Sequence, residues 1–383
     1  MEPPSARRMP ERPAPLVLVA TPATDRPFGT HAAVAAEGQQ LLAAELSHRL
    51  GRLGAAVGPL PFEAPPGAEA FHWGRWFAAG ARRSLEDGNV DAIGYAGAGA
   101  LALLDDAGLD ALLSPTAGEV VANNRFSADA FVVAGDLDRA LAVLEGCEND
   151  NGAPRALNDA GWAWRDLGTT AWARFDVDTT LDLALLRLAT RLDGTRPLDG
   201  AARGFLEMAR LPGDRALEVP NLAEIGAVMR DKSAELVVAG RVPASTWQML
   251  ETDTACRVRC LIEERGMRSA ARSGQAPRSI LAALMARSSP AEVVAELARL
   301  GDAVVLDTRV LMAAVAGSAD ASAWPTEEER FASDFGDASR VSTPWLRELV
   351  EAAGRASVPF LLGGHALVSD GLQLMVAAAW QGR

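Results

Sequence analysis

Short, continuous apolar segments alternate along this chain with longer segments of helical periodicity, and this alternation constrains its fold more than any other feature. The run Leu16–Ala20 is followed at once by Thr-Pro, a pattern typical of a strand buried on both faces of a parallel sheet. A helix is predicted over His31–Leu53, where leucines recur at helical spacing. Strands that are separated by helices pair in parallel, so the predicted fold is α/β with a doubly wound, mostly parallel sheet.

The second half of the chain repeats this alternation. Strands are predicted at Glu235–Ala239, Arg257–Ile262, Ala303–Leu306 and Val358–Leu362. Helices are predicted at Leu222–Arg230, Ser279–Arg287, Pro290–Leu300 and Pro344–Ala356. Because 383 residues exceed one ordinary core, we expect two α/β domains, residues 14–192 and 193–383, after a disordered leader at 1–13. The boundary rests on the Gly and Pro content of residues 192–200.

Composition narrows the classes of function. The chain has 37 Lys and Arg against 50 Asp and Glu, a net charge of −13, and no strongly basic stretch. Neutralising the phosphates of a nucleic acid needs clustered cations, so no nucleic-acid partner is expected. The apolar run Leu16–Ala20 is too short for a signal peptide or a membrane span, so we expect a cytoplasmic protein without a membrane partner.

Three cysteines, Cys147, Cys256 and Cys260, are too few for a disulfide scaffold and favour a reducing compartment. Cys256 and Cys260 stand four residues apart on a predicted strand, so their side chains share one face. This spacing favours core thiols over a metal pair.

The best candidate for a site is the segment Asn89–Val132. It predicts a buried strand, a turn at Gly97 and Gly99, a short helix, and a second strand that runs into the polar triplet Asn123, Asn124 and Arg125. A strand that ends in glycines exposes backbone N–H groups at the edge of a sheet, where an anion can bind. The amide and guanidinium donors of the triplet are predicted near the same edge.

Two stretches resemble a known family. Asp91–Leu113 with Val120–Asp129 is similar to the middle of a MobA-like nucleotidyltransferase domain, in which a strand, a Gly/Asp turn and a "PLL"-like element precede a strand with substrate contacts. Phe175–Leu183 resembles the D-[IV]-D-T-P-x-D-L signature near the end of that domain, with Thr180 where proline is usual. The resemblance covers residues 14–190 and implies a glycosyltransferase-A-type fold.

For function, the resemblance implies that a nucleoside triphosphate and a small-molecule acceptor bind with Mg²⁺. Its substrate contacts fall on Gly97, Gly99, Asn123, Asn124, Arg125 and Asp129. Two features depart from the family. First, the family has a Gly-rich triphosphate loop after the first strand, whereas this chain has a segment with Pro22 and Pro27, which lack N–H donors. Second, the family has a metal-binding Asp before the "PLL" element, whereas this chain has Gly97–Gly99 there.

Asp176 and Asp178 have the i, i+2 spacing with which carboxylates at a strand end can bind a divalent cation. The same residues also suit a helix start, with Asp178 or Thr179 as the N-cap and Asp182 in the first turn. Both interpretations remain open from sequence. The site hypothesis further expects these aspartates and the Asn-Asn-Arg triplet at the same edge of one parallel sheet.

Two other motifs allow alternative interpretations. Gly97–Ala102 matches the loose dinucleotide pattern G-x-G-x-x-[GA], which is weak evidence when it stands alone. Phe71–Phe77 is the densest aromatic cluster and predicts either core packing at a helix start, which its spacing favours, or a stacking or interface patch. A loop is predicted over Pro59–Gly67.

In the second half, predicted strands end at Arg241, at Asp307–Arg309 and at Gly363–His365. Because parallel strands end at one edge, Arg241, Asp307, Arg309 and His365 are predicted to converge, and the guanidinium groups would suit a phosphate or carboxylate. The alternative is that they are ordinary helix-cap residues. Trp324–Asp337 is predicted to be a long acidic loop that forms a lid or an interface, for example in a homo-oligomer.

Two functions follow. The first is a metal-assisted transfer of a nucleotidyl group, with Asp176 and Asp178 on the cation and Arg241, Arg309 and His365 as further substrate-binding residues. The second is a non-catalytic nucleotide-binding or scaffold protein that retains the fold.

Overall fold

A computed structural model describes residues 13–23, 25–62, 71–85, 90–125, 127–168, 170, 172–263 and 276–381. The predicted leader, apart from its last residue, lies outside these ranges. The chain divides into two compact units, a first unit of Met1–Ala23 with Gln39–Arg174 and a second unit of Thr24–Gly38 with Phe175–Arg383. The change of unit therefore falls at Phe175, ahead of residues 192–200 where the composition places a boundary.

The first unit contains a sheet of six strands and the helices that cover it. Its strands are β1 (Leu16–Thr21), β2 (Ala56–Pro61), β3 (Ala92–Ala96), β4 (Glu119–Ala122), β5 (Ala130–Ala134) and β6 (Ala163–Asp166). Its helices are α1 (His31–Arg52), whose first residues belong to the second unit, α2 (Trp73–Leu85), α3 (Asp106–Leu112), α4 (Leu137–Glu145) and α5 (Ala153–Asp159).

The first sheet is mixed rather than wholly parallel. Its order is β2-β1-β3-β5-β4-β6, and β5 pairs antiparallel with both β3 and β4. Only residues 123–129 join β4 to β5, too few for the crossover that a parallel pair requires. The carboxyl ends of the other strands share one edge with the amino end of β5, and this edge is called the first rim.

Alternate residues along the strands face two separate cores. On one face, Leu16 and Leu18 pack with side chains of α2, α4 and α5. On the other face, Val17 and Val19 pack with side chains of α1 and α3. Both faces are buried, which explains why the LVLVA run shows no polar alternation.

The predicted loop Pro59–Gly67 is wrong at its start, because Pro59 and Pro61 belong to β2. Proline cannot donate to a ladder and is therefore confined to edge strands or bulges. β2 is an edge strand that pairs only with β1, so both prolines are tolerated.

The aromatic cluster Phe71–Phe77 contributes to the core, as its spacing favours. Trp73 and Phe77 are buried and stack with ring centroids 5.1 Å apart. Tyr95 of β3 meets both rings edge-on. Phe71 is 40% exposed and contacts the ring of Trp76.

The second unit is built around a separate sheet of four strands, β9 (Glu235–Gly240), β10 (Arg257–Ile262), β11 (Ala303–Asp307) and β12 (Phe360–Gly363). A short hairpin, β7 (Arg210–Leu211) and β8 (Arg215–Ala216), precedes it. The helices are α6 (Thr180–Ala189), α7 (Gly200–Met208), α8 (Leu222–Arg230), α9 (Ala244–Asp253), α10 (Ile280–Met285), α11 (Pro290–Arg299), α12 (Thr308–Ala316), α13 (Glu327–Asp334), α14 (Pro344–Arg355) and α15 (Leu372–Trp380).

This second sheet is wholly parallel, in the order β10-β9-β11-β12. The order changes direction between β9 and β11, and in open α/β sheets ligands bind beyond the strand ends at such a switch point. The edge formed by the four carboxyl ends is called the second rim. One face packs against α10–α14, while α15 contacts α6, α8 and α9.

Fold class and two α/β units agree with the sequence-based expectation, and the predicted limits of β10 and α8 coincide with the observed ones. The predicted loop Trp324–Asp337 is wrong, because it contains α13. Thr326 and Glu329 form a reciprocal capping box at its start, with the Thr326 hydroxyl and the Glu329 carboxylate each accepting a backbone N–H of the other residue.

No helix in the described ranges is both long and apolar enough to cross a bilayer.

The start of α2 meets the end of α4 so closely that only glycine fits at position 74. The N–H groups of Trp73 and Gly74 donate to the carbonyls of Glu148 and Cys147, which satisfies two donors that a helix start leaves unpaired. A Cβ at Gly74 would lie 2.2 Å from the carbonyl oxygen of Leu144.

We expect Gly74→Ala to lower the free energy of unfolding by about 1–3 kcal/mol, because a backbone atom cannot move aside cheaply. Gly51→Ala is the matched control, since a Cβ at Gly51 in α1 meets no atom within 4 Å. Urea denaturation of both variants measures the difference. Equal stability of the two variants would contradict the close contact.

Candidate functional sites at two sheet rims

Asn123 holds the polar turn of the first rim together. Its buried side chain accepts the N–H groups of Asp129 and Ala130, each at 3.0 Å, and donates to the carbonyl of Ala173 at 3.1 Å. It also donates to the Asp129 carboxylate at 3.4 Å. The amide is thus fully used within the protein, so the predicted substrate contact at Asn123 is a structural brace instead.

The glycine turn lies against the same segment. The N–H of Gly97 donates to the carbonyl of Asp129 at 2.8 Å, so this donor does not face an incoming anion. Gly99 is buried in a series of turns, and α3 begins only at Asp106. In the dinucleotide motif the glycines open a helix directly, so Gly97–Ala102 does not have that geometry.

Solvent reaches three polar residues of this turn, Asn124, Arg125 and Asp129, of which Arg125 is exposed. The guanidinium of Arg125 lies over the ring of Trp164 in β6, 5.9 Å from its centroid. Asn124 and the Asp129 side chain are half-buried beside it. Sequence reasoning therefore located a group of residues that the fold does bring together, although Asn123 and Gly97 serve the scaffold.

Asp150 lies in a loop that contacts the same turn, and the sequence did not identify it as a site residue. Its carboxylate accepts the hydroxyl of Tyr95 at 3.4 Å, and Asn151 contacts Ser127. The only signal was the polar run Asn149–Gly152, which is common in ordinary loops.

Two residues after strands of the first rim have left-handed backbones without being glycine. Leu101 has φ 62° after β3, and Trp172 has φ 63° after β6. Bulky residues avoid this conformation, which costs on the order of 1–3 kcal/mol and persists where surrounding structure enforces it. Such strain clusters at ligand sites.

We expect Asn123→Ala to lower the free energy of unfolding by about 2–4 kcal/mol, because it leaves buried N–H and carbonyl groups unpaired. Arg125→Ala should cost less than about 1 kcal/mol, because Arg125 is exposed and an exposed cation–π contact such as that with Trp164 contributes little. Thermal and urea unfolding test both. A small effect of Asn123→Ala would show that the turn does not depend on this amide.

The segment Phe175–Leu183 starts a helix. Thr179 is the N-cap of α6, its hydroxyl accepts the Asp182 N–H, and the Asp182 carboxylate accepts the N–H groups of Asp178 and Thr179. Thr180 stands where the family signature has proline, and its hydroxyl donates to the carbonyl of His31 at 3.0 Å, both residues being in the second unit. The helix-start interpretation therefore describes this motif.

The expectation that Asp176 and Asp178 end a strand of the first sheet is wrong. Residues 175–178 form no strand, and the two aspartates belong to the second unit while Asn123 belongs to the first. Asp176 accepts the N–H of Val177 at 2.9 Å, and Asp178 is exposed. No three His, Cys, Asp or Glu side chains in the described ranges converge as metal ligands.

The second rim brings together the strand-end residues that the sequence predicts to converge. Arg241, after β9, makes two bonds to the Asp307 carboxylate at the end of β11, of 2.5 Å and 3.0 Å. Burial raises the pKa of Asp307, but Arg241 outweighs burial and holds that pKa below its ordinary value. Gly240 permits the approach, since its φ is +119° and a Cβ would lie 2.4 Å from that of Asp307.

Arg309 makes a second bidentate pair. Its guanidinium donates to both carboxylate oxygens of Asp334 at 2.6 Å, and both residues are buried. Thr308 connects this pair to β12 through a bond to the carbonyl of Gly363. Burial lowers the pKa of Arg309, but Asp334 outweighs it and raises the pKa above its ordinary value.

These pairs change the expected role of the arginines. Arg309 is enclosed and Arg241 is only 16% exposed, and each is neutralised by a carboxylate. A phosphate would have to compete with Asp307 or Asp334 for them. His365 is the exposed member, and its charge acts on Asp307.

Asp182 is a buried carboxyl whose pKa the fold raises. Burial, together with the charge of Asp178, raises the pKa of Asp182 to about 7, although hydrogen bonds with Thr179 act in the opposite direction. The charge of Asp334 adds to the increase.

This pKa predicts how stability depends on pH. The folded state binds the Asp182 proton more tightly than the unfolded chain, whose carboxyl has a pKa near 3.8. The contribution of Asp182 to the free energy of unfolding is therefore fully present below pH 3.8 and is lost as pH rises to about 7. The slope is at most about 1.4 kcal/mol per pH unit.

Asp182→Asn should remove this slope. Urea unfolding of wild type and variant between pH 4 and 8 measures the difference in free energy, which should shift in favour of the variant as pH rises. A difference that stays constant over this range would show that Asp182 is ionised throughout.

A scan of protein-family models finds none that matches this chain, and a search of curated proteins finds no match either.

Proposed function

We propose that this protein binds a nucleotide at the first rim. It would be a nucleotidyltransferase-type protein whose main role is to bind the nucleotide and not to transfer a nucleotidyl group. The observation that carries the proposal is the turn fixed by Asn123, which presents Asn124, Arg125 and Asp129 beside the glycine turn of β3.

The chemistry of the exposed groups supports a nucleotide. A guanidinium at a strand end suits a phosphate, and carboxylate and amide groups can bond to the hydroxyls of a ribose or the edge of a base. Asp129 and Asp150 supply the carboxylates, and Asn124 supplies the amide. The left-handed backbones of Leu101 and Trp172 further support a ligand site at these turns.

Magnesium-assisted transfer to a small acceptor is the second candidate. Asp178 favours this candidate, because it is an exposed carboxylate whose negative charge acts on Asp182. A bound cation would reduce the repulsion between these two carboxyl groups. Magnesium commonly takes one or two carboxylates and completes its shell with phosphate oxygens and water. Asp176 and Asp178 are the residues that would hold it.

Thermal unfolding with GTP or ATP, with and without Mg²⁺, tests the proposal. A triphosphate at 100 times its Kd should add about 2.7 kcal/mol, a shift of several degrees in Tm. Arg125→Ala should abolish this shift. Arg139→Ala is the matched control, since Arg139 is also an exposed guanidinium over a tryptophan ring, 4.8 Å from the centroid of Trp162.

Three outcomes decide between the functions. The absence of a Tm shift with either triphosphate would overturn the proposal. If Arg125→Ala and Arg139→Ala lose the Tm shift equally, binding is an unspecific attraction between charges, which also contradicts a site at the first rim. If the double variant Asp176→Ala with Asp178→Ala retains the shift, binding without these carboxylates is supported. If that variant loses a magnesium-dependent shift, the transfer candidate is favoured.

A further inference from the structure

A cavity of about 550 Å³ lies within the second unit, between α6, α8, the end of α15 and residues 217–221. It is called the α8 pocket, and its volume is in the range of small-molecule sites. Leucine and alanine side chains form much of its wall, including Leu188, Leu222 and Ala378. The pocket is independent of both sheet rims.

Three arginines line this largely apolar wall. Arg187 donates from Nη1 to the carbonyl of Leu217 and to Glu218, while its buried Nε has no hydrogen-bond partner among the described residues. Arg230 donates to the carbonyl of Ala379 at 2.9 Å. Arg191 is 56% exposed, and its guanidinium lies 4.0 Å from the Glu218 carboxylate. Guanidinium groups with donors left over beside an apolar wall favour a negatively charged guest.

The start of α8 adds to the positive potential. Asn221 at the N-cap has φ 54°, and its side chain donates to the carbonyl of Phe360 instead of capping the helix. No side-chain hydrogen bond from the N-cap closes the first turn, and its residues Leu222, Ala223 and Glu224 line the pocket. A helix N-terminus favours anions.

Two carboxylates partly offset these charges. Glu218 is 59% exposed and pairs with Arg187, and Glu224 is exposed in the first turn of α8. Water screens exposed carboxylates, whereas the Arg187 side chain is only 12% exposed. The three arginines and two glutamates give the pocket one net positive charge within an apolar wall. This combination favours a guest with a single anionic head and an apolar body.

We propose that the α8 pocket binds a small organic anion, with a carboxylate or phosphate head at Arg187, Arg191 and Arg230 and an apolar body against the leucines and alanines. Inorganic phosphate has no apolar body that could pack against the apolar wall. We therefore expect the pocket to bind the organic anion more tightly than inorganic phosphate. The pocket does not depend on the nucleotide proposed for the first rim.

Isothermal titration calorimetry of the full chain with hexyl phosphate, sodium hexanoate and inorganic phosphate tests this proposal. One of the hexyl compounds should bind at least tenfold more tightly than inorganic phosphate, and the better of the two identifies the head group. Arg230→Gln and Arg191→Gln should each weaken that binding about tenfold. Ala223→Glu, at an exposed position of the first turn, should weaken it by charge repulsion.

Arg203→Gln is the matched control, because Arg203 on α7 is 60% exposed and does not line the pocket. It should leave the affinity unchanged. Circular dichroism checks folding, and the exposed positions Arg191 and Ala223 keep the test valid if Arg230→Gln is unstable. Absence of binding by both hexyl compounds, or equal affinity for inorganic phosphate, would overturn the proposal, as would affinities that none of the three pocket variants lowers.

Discussion

The second unit depends on one constraint, that a charge removed from water must meet an opposite charge at hydrogen-bond distance. Asp307 is completely buried, and Arg241 and the start of α12 both bond to its carboxylate. Arg309 and Asp334 connect α12 to α13 in the same way. Removing one partner of such a pair leaves an uncompensated buried charge, which is strongly destabilising. The ion pairs thus fix the register of the elements that end at the second rim.

In the first unit, the turn between β4 and β5 is held together by a neutral group instead. Asn123 pairs the free backbone groups of the β4–β5 turn without a buried charge. Its rim consequently retains an exposed guanidinium at Arg125 and half-buried carboxyl groups at Asp129 and Asp150. At the second rim, by contrast, Asp307, Arg309 and Asp334 are buried in ion pairs.

The motif at Phe175–Leu183 shows why family-like patterns need a structure. Its spacing suits both a helix start, which it favours, and metal ligands, because both uses require carboxylates and hydroxyls close together in the chain. Asp182 and Thr179 form the capping box, and Thr180 donates to His31 where proline could not. The departure from the signature therefore has a physical role in this fold.

Local pattern by itself predicted the fold class and many of the strands and helices, since periodicity and caps depend on neighbours within a few residues. β10 and α8 were predicted residue for residue, and the convergence of Arg241 with Asp307 followed from parallel strands sharing an edge. Only the tertiary structure decided the antiparallel insertion of β5, the pairing of Arg309 with Asp334 and the enclosure of Asn123. These features depend on contacts between residues that are distant in sequence or on which strands become neighbours, and no local pattern encodes either.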